Sequence, residues 1–329
     1  MRPHINPLNH LHVGKTVSIN RARPRVWLVL LILATLAGMT TRAAHAGDLN
    51  VMTWNIRGGQ TEKRGGSIHV VPCTPNTTPN YLHNIEEEIN RHEGLDVIAL
   101  QEVYRSQAET LARNLAASRG FHPRPYFVET RSCAGGPAAN DFGIAIISRH
   151  PFLDVERRAL YTPLCNQLEE RMLARVIIKV QGRPIHVYNT HLSACGGAFA
   201  QTREVIEIRA QINRDRDRSR DFAFRPVLMG DFNVGPGSIP YQTIRLGLFL
   251  DAWREVHGDA PGNTFDTFSP HARIDYILVG SGGVFKVDYA QLTNKQALFD
   301  VFDLEKPNAG RDFNKVPDHL PVVAHMSYR

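Results

Sequence analysis

The sequence predicts an α/β layered fold. Short apolar, β-branched runs alternate with amphipathic helical patterns along the chain, and several of the runs are apolar on both sides, as strands covered on two faces are. Residues 47–329, which follow a signal-like first segment, can bury the core of one large α/β domain or two small ones. A hydrophobic content of 43% against 21% charged residues excludes a disordered chain, and no 18-residue apolar run suggests a bilayer span.

In chain order, residues 49–56 read as the first strand. A helix over 81–92 follows, with Ile85 and Ile89 one turn apart on a single face. Residues 95–101 form a near-continuous apolar strand, and 107–118 a helix with Leu111 and Leu115 turned inward. Strands follow at 142–148, 173–180 and 185–190, the last two flanking Gln181-Gly182 as a hairpin would. A helix at 202–214 and strands at 226–229, 274–279 and 320–324 complete the pattern. The segments 57–80, 130–141, 259–271 and 303–318 are rich in Gly, Pro and Asn and read as loops. None has linker composition, so a single domain over 47–329 is expected. The alternating charges of 214–220 are most simply a solvated helix end.

The formal net charge of +6 and the pI near 9.2 invite a nucleic-acid reading. The surplus is local. Arg2, Lys15, Arg21, Arg23, Arg25 and Arg42 fall in residues 1–46, which hold no acid, and the rest of the chain carries 32 basic and 32 acidic groups. That first segment has a basic stretch, an apolar run over 26–37 and the small-x-small exit Ala44-His45-Ala46. These are the marks of a secretory signal, with cleavage expected after Ala46 and a secreted or periplasmic product. A membrane anchor is the alternative, but twelve apolar residues span only ~18 Å as a helix, short of a ~30 Å hydrocarbon core.

All four cysteines lie beyond the signal, where an oxidising compartment favours two disulfides over free thiols. The hairpin around Gln181-Gly182 brings residues near 165 and 195 together. Cys165–Cys195 is therefore expected and, by elimination, Cys73–Cys133. No pair has zinc-ligand spacing.

The polar clusters sit at strand ends. Asn55 closes the first strand, Gln101-Glu102 the second, and Asn189-Thr190-His191 the hairpin's return strand. Gly230-Asp231-Phe232-Asn233 ends the strand at 226–229; Arg273-Ile274-Asp275-Tyr276 and Asp318-His319 begin or precede the last two. Glu102, Asp231, Asn55 and Asn233 offer hard oxygen donors, which suit Mg²⁺, Mn²⁺ or Ca²⁺. His191 and His319 can exchange protons near neutral pH. Carboxylates with imidazoles, and no Ser or Cys nucleophile among them, point to metal-assisted attack by water on a phosphodiester.

Taken in order, these six motifs resemble the endonuclease/exonuclease/phosphatase superfamily, the DNase I-like fold, over essentially all of residues 48–327. The resemblance implies a four-layer α/β sandwich of two packed mixed sheets flanked by helices. It implies that Glu102 is the principal Mg²⁺ ligand, helped by Asn55, and that His319 is the general base, oriented by Asp275. Asp231 and Asn233 would hold the scissile phosphate or a second metal, and Asp318 would add a metal or orienting carboxylate. His191 with Asn189 would stabilise the phosphoryl oxygens or protonate the leaving group. Arg171, beside Glu170, matches a position where an arginine reaches phosphate; a surface ion pair is the alternative. Pro317 stands where the family commonly has Ser, and Ile144 where a polar residue is frequent.

Export makes a nuclear repair role unlike this chain, and the resemblance leaves the substrate open. An endonuclease-like phosphodiesterase is the first expectation, with Arg57, Lys63 and Arg64 available to a polyanion; a solvated Gly-rich loop is the alternative reading of those three. A sphingomyelinase-type phospholipase C is second. It would want an exposed apolar element for the lipid interface, for which residues 299–302 are the candidate. A binding module or toxin subunit with a lapsed site is the third. No protein partner is inferred, and a monomer is expected.

Overall fold

The computed structural model describes residues 47–328 apart from 65–66, 132–140, 167–168, 220–223 and 303–313. The first 46 residues, where a secretory signal is expected, lie outside the described residues. So does the Cys73–Cys133 pairing, since Cys133 and the Cys73 side chain are outside them, as are the side chains of Lys63 and Arg64.

Two six-stranded mixed sheets form the centre. The strands of the first are β1 (Gly47–Asn55), β4 (Val97–Tyr104), β5 (Tyr126–Arg131), β6 (Phe142–Ser148), β13 (Phe285–Leu292) and β14 (Val322–Tyr328), in the order β13-β14-β1-β4-β6-β5. The second is built from β7 (Phe152–Ala159), β8 (Met172–Val180), β9 (Arg183–His191), β10 (Pro226–Asp231), β11 (Phe249–Asp251) and β12 (Asp275–Gly280), in the order β11-β12-β10-β9-β8-β7. Alternation along each strand divides the side chains between two faces. Val51, Ala99, Ile146, Val187, Met229 and Ile277 fill the layer between the sheets.

The opposite faces take helices. Trp54, Leu100 and Ile147 pack against α1 (Tyr81–Arg91), α2 (Arg105–Arg119) and α6 (Lys295–Val301). Tyr188, Leu228 and Leu278 pack against α3 (Gly197–Arg218) and α4 (Ile239–Arg245). A short α5 (Ala252–His257) follows β11. The result is the expected α/β/β/α sandwich.

Every interior strand matches an expected one, and all four sheet-edge strands (β5, β7, β11 and β13) were not expected. Edge strands face solvent and carry charge, which blurs their alternation; Asp154-Val155-Glu156-Arg157-Arg158 in β7 is an example. The expected loop at 57–80 is corrected too, since it holds a separate hairpin of β2 (Gly59–Arg64) and β3 (Ser67–Pro75). The hairpin at Gln181-Gly182 forms as expected, with both residues at positive φ. Beyond it Cys165 and Cys195 are bonded, with Cα atoms 6.3 Å apart.

Candidate active site

The site is assembled by register. Asp231 on β10 stands opposite His191 on the parallel β9 and opposite Asp275 on the antiparallel β12. In the first sheet Asn55 on β1 stands beside Gln101 on the parallel β4. These residues occupy the inward-facing positions of their strands, beyond the apolar rungs of the core, so the same alternation that builds the core delivers polar groups to its open end. Gly230 permits the close approach of β10 to β9. It has φ 147°, and a Cβ there would lie 2.0 Å from the Thr190 carbonyl oxygen.

Glu102 owes its position to an irregularity. The pairing of β4 with β6 slips between Leu100 and Val103, and Glu102 itself sits at φ 51°. A bulge of this kind re-aims a side chain, and a non-glycine residue held in the left-handed region is strain kept at a functional position. The Asn55 amide bridges the two sheets, donating to Glu102 Oε1 at 3.0 Å and to Asp231 Oδ2 at 3.1 Å. Asn233, also left-handed with φ 51°, donates its backbone N–H to Asp231 Oδ1 at 2.9 Å and its side-chain amide to the Leu192 carbonyl.

His319 enters from the loop before β14. Its Nδ1 lies 2.8 Å from Asp275 Oδ2, while Nε2 faces Asp231 Oδ2 at 3.7 Å and Asp318 Oδ1 at 3.9 Å. The backbone is pinned as well: Trp54 Nε1 donates to the His319 carbonyl at 2.9 Å, and Leu320 N–H donates to the Thr264 carbonyl. With Nδ1 held by Asp275, Nε2 is the nitrogen turned toward the carboxylate cluster. Burial alone would lower the imidazole pKa, but Asp275, Asp231 and Asp318 outweigh it and hold it well above the ordinary value.

The acids have the complementary problem. Burial raises the Asp231 carboxyl to about 7, with Asp275 adding to the effect, and burial followed by the Asp318 charge raises Glu102. One oxygen of Asp275, Oδ1, is buried without a hydrogen-bond partner. Asp231, Asp275 and His319 each offer a ligand atom within a 4.8 Å group. Crowded hard oxygens, raised carboxyl pKa values and a buried unpartnered oxygen are what a divalent cation would relieve. Among the described residues Asp231, Asp275 and His319 are grouped closely enough for one, and the Asn55 amide ties Glu102 to Asp231 beside them.

His191 behaves differently from His319. Burial, then the charges of Arg171 and His319, push its pKa well below the ordinary value. It is therefore a neutral imidazole at neutral pH, 3.6 Å from Asp231 Oδ2, with Nδ1 unpartnered. A neutral ring can donate one hydrogen bond to a phosphoryl oxygen but holds no spare proton to give away. Of the two roles implied for it, oxygen stabilisation is the one this environment suits.

Three expectations need correction. Asn189 does not face substrate: its amide donates to the Leu100 and Ala145 carbonyls at 2.9 Å each, and its oxygen accepts from Gln101 at 2.8 Å. With both donors spent inside the protein it braces one sheet against the other, one rung below the site. Arg171 is not in a surface pair with Glu170. It is buried and pairs with Glu169 at 2.8 Å. Arg57 is not a side chain standing free for a polyanion, since it is paired with Asp318.

The Thr53–Gln101–Asn189 rung and the Arg273–Asp251 pair at 2.7 Å, which anchors the start of β12, went unassigned in the sequence. Period-2 alternation through Thr53 and Gln101 was the signal that could have found the rung. Asn189→Ala is expected to destabilise the fold by about 2–4 kcal/mol, because it removes three buried hydrogen bonds, two to carbonyls and one from the Gln101 amide. Urea unfolding would measure this, and a loss below about 0.5 kcal/mol would refute the bracing role.

A two-sheet sandwich whose strand ends gather carboxylates around an imidazole–carboxylate pair defines a hydrolase of phosphate esters. The chain belongs to the endonuclease/exonuclease/phosphatase family, which it matches over residues 52–298. It is similar to the inositol phosphosphingolipids phospholipase C of Saccharomyces cerevisiae, with 25% identity over 293 residues, covering 81% of this chain and 57% of that enzyme. Among solved structures it resembles an endonuclease/exonuclease/phosphatase protein from Bacteroides vulgatus, with TM-score 0.60, 19% identity, and 86% and 99% of the two chains covered. The human Nocturnin catalytic domain with bound sulfate gives TM-score 0.60 and 18% identity over 86% and 95%. These likenesses support the fold.

Proposed function

We propose that the chain is an exported, divalent-cation-dependent phosphodiesterase that cleaves lipid head-group phosphodiesters, a phospholipase C-type reaction. The observation that carries the hydrolytic reading is the His319–Asp275 pair set beside the Glu102–Asn55–Asp231 bridge. Export rests on the basic stretch, apolar run and Ala44-His45-Ala46 of the first segment.

A cation held by Glu102 and Asn55, with Asp231 and Asp318 in reach, would neutralise phosphoryl charge and stabilise the leaving alkoxide. The chain's own residues do the remaining work. His319 Nε2 takes the proton from the attacking water, and Asp275 fixes the ring and stabilises the imidazolium that forms. The water oxygen bonds to phosphorus as the P–O bond to the lipid alcohol breaks, and solvent supplies the proton the alcohol gains. His191 donates to a non-bridging oxygen, and the Asn233 backbone, bonded to Asp231, keeps that carboxylate aimed inward.

The lipid class moves ahead of nucleic acid for two reasons. The curated relative matched over 81% of the chain is named a phospholipase C. Arg57, one of the three cations expected to be available to a polyanion, is paired with Asp318, and Arg171, expected to reach phosphate, is paired with Glu169; the side chains of Lys63 and Arg64 lie outside the described residues. The test is head-group release from inositol-phosphosphingolipid and sphingomyelin vesicles, run beside plasmid DNA, with Mg²⁺, Mn²⁺ or EDTA. Released phosphorylated head group, abolished by EDTA, is expected. Nicked DNA with intact lipid would replace this reading with the nuclease one.

Cation binding also has a stability signature. The folded Asp231 carboxyl titrates near 7, above its ordinary 3.8, so its favourable contribution is fully present below pH ~4 and is lost as pH rises through about 7. A divalent cation is therefore expected to raise the melting temperature more at pH 8 than at pH 6, where protons compete for the same oxygens. A shift independent of pH would contradict Asp231's part in the site.

A further inference from the structure

Among the described residues no helix is long and apolar enough to cross a membrane, and the proposed lipid substrate calls for a surface that meets the bilayer. The expected interface element is not available: Phe299 and Phe302 are buried on and after α6. A different surface is. Leu164 and Phe199 are 82% and 68% exposed, and the Cys165–Cys195 disulfide joins the loop of one to the loop leading to the other. The first of these loops precedes β8 and the second leaves β9 at His191, and the start of β8 pairs with the end of β9. Gln201, in the same helical turn as Phe199, donates to the carbonyls of Ser193 and Asn233, which locks the first turn of α3 to the site's edge. The Phe199 ring meets Tyr161 edge-on at 6.4 Å, and the exposed Arg203 lies 4.3 Å over the Tyr161 ring. Ile239, 67% exposed, opens α4, which packs against α3.

Solvent-exposed apolar side chains on a covalently fixed edge, with an aromatic ring and a cation among them, have the composition of a surface that enters the boundary between acyl chains and head groups. A lipid phosphodiester lies at that depth. We propose that Leu164, Phe199 and Ile239, with Tyr161 and Arg203, form a rim that docks on a phospholipid bilayer and sets the active site at the level of the head-group phosphates. This rests on the phospholipase reading above and adds to it where the membrane is met. Arg203 supplies charge complementarity to lipid phosphate, and the disulfide ties the segment that carries Leu164 to the one that leads into α3.

The test compares the chain with its Leu164→Ser/Phe199→Ser variant, both recovered from the same host with the same N-terminus, so that any retained apolar segment contributes equally. Co-sedimentation with sphingomyelin–phosphatidylcholine vesicles is expected to weaken about ten-fold or more in the variant. Turnover of soluble bis(p-nitrophenyl) phosphate should stay within about two-fold, and Phe199→Trp should keep vesicle binding. Unchanged vesicle binding by the double variant would overturn the proposal, as would an equal loss of soluble turnover. A change of oligomeric state with vesicle binding intact would reassign the rim to self-association and also overturn it. Rim-dependent binding without lipid hydrolysis would support the docking surface while removing the phospholipase reading. No binding by the parent chain, with detergent-dispersed sphingolipid still hydrolysed, would do the reverse.

Discussion

His319→Ala is expected to lower kcat on any phosphodiester substrate by about 10³–10⁴-fold while leaving the fold intact. The size follows from the loss of the imidazole that Asp275 orients with its Nε2 toward the carboxylate cluster. The fold should survive because the anchors at this position are backbone ones: Trp54 bonds the His319 carbonyl, and Leu320 bonds Thr264. Asp275→Asn should be milder in rate and informative in pH. The Asp275 charge leads the causes that raise His319 against its burial, so removing it lowers the His319 pKa. The acid limb of the kcat/KM profile, which reports protonation of the base in the free enzyme, is then expected to move to lower pH. An unmoved limb would mean that another group is the base.

The second large effect is expected of Glu102→Gln. Cation-supported turnover should fall by at least about 10³-fold, and the cation-induced rise in melting temperature should disappear with it. Without added cation the sign reverses. Partial burial and the Asp318 charge raise the folded Glu102 carboxyl, so its ionised form costs stability as pH rises through that raised value. A neutral amide avoids that cost, and the cation-free variant should melt no lower than the parent at pH 8. A variant that bound cation normally, yet had lost stability, would show that Glu102 holds the bulge together and leaves the metal to other residues.

The sequence made the interior of both sheets legible and left their margins obscure, for one physical reason. Strands covered on two faces must be apolar on both, and β1, β4, β6, β8, β9, β10, β12 and β14 show it. Edge strands answer to solvent on one side, and β7 and β13 carry charge at alternate or adjacent positions that hides their period. The site was legible for the same reason as the interior, because its residues terminate those apolar runs. Asn55, Glu102, His191, Asp231, Asp275 and His319 converge as their strand-end positions required.

What stayed hidden was the direction of single side chains. Asn189 and His191 both point inward, two residues apart on β9, yet only the one at the strand's end meets the site. The other spends its amide one rung lower. The partners of the arginines were equally unreadable, since Arg171 chooses Glu169 over its neighbour Glu170, and Arg57 reaches 261 residues along the chain to Asp318. The net charge is a further instance. The +6 total belongs to the first 46 residues, so basicity gave no support to a nucleic-acid substrate.

The central claim is that these residues form a working, cation-dependent site in which His319 activates water. It is tested most directly by turnover of bis(p-nitrophenyl) phosphate by the purified chain with Mg²⁺ or Mn²⁺, repeated with EDTA and with His319→Ala. The account predicts turnover that requires the cation and is lost in the variant. Full activity in His319→Ala, or no hydrolysis of this or any other phosphoester with either cation, would contradict it.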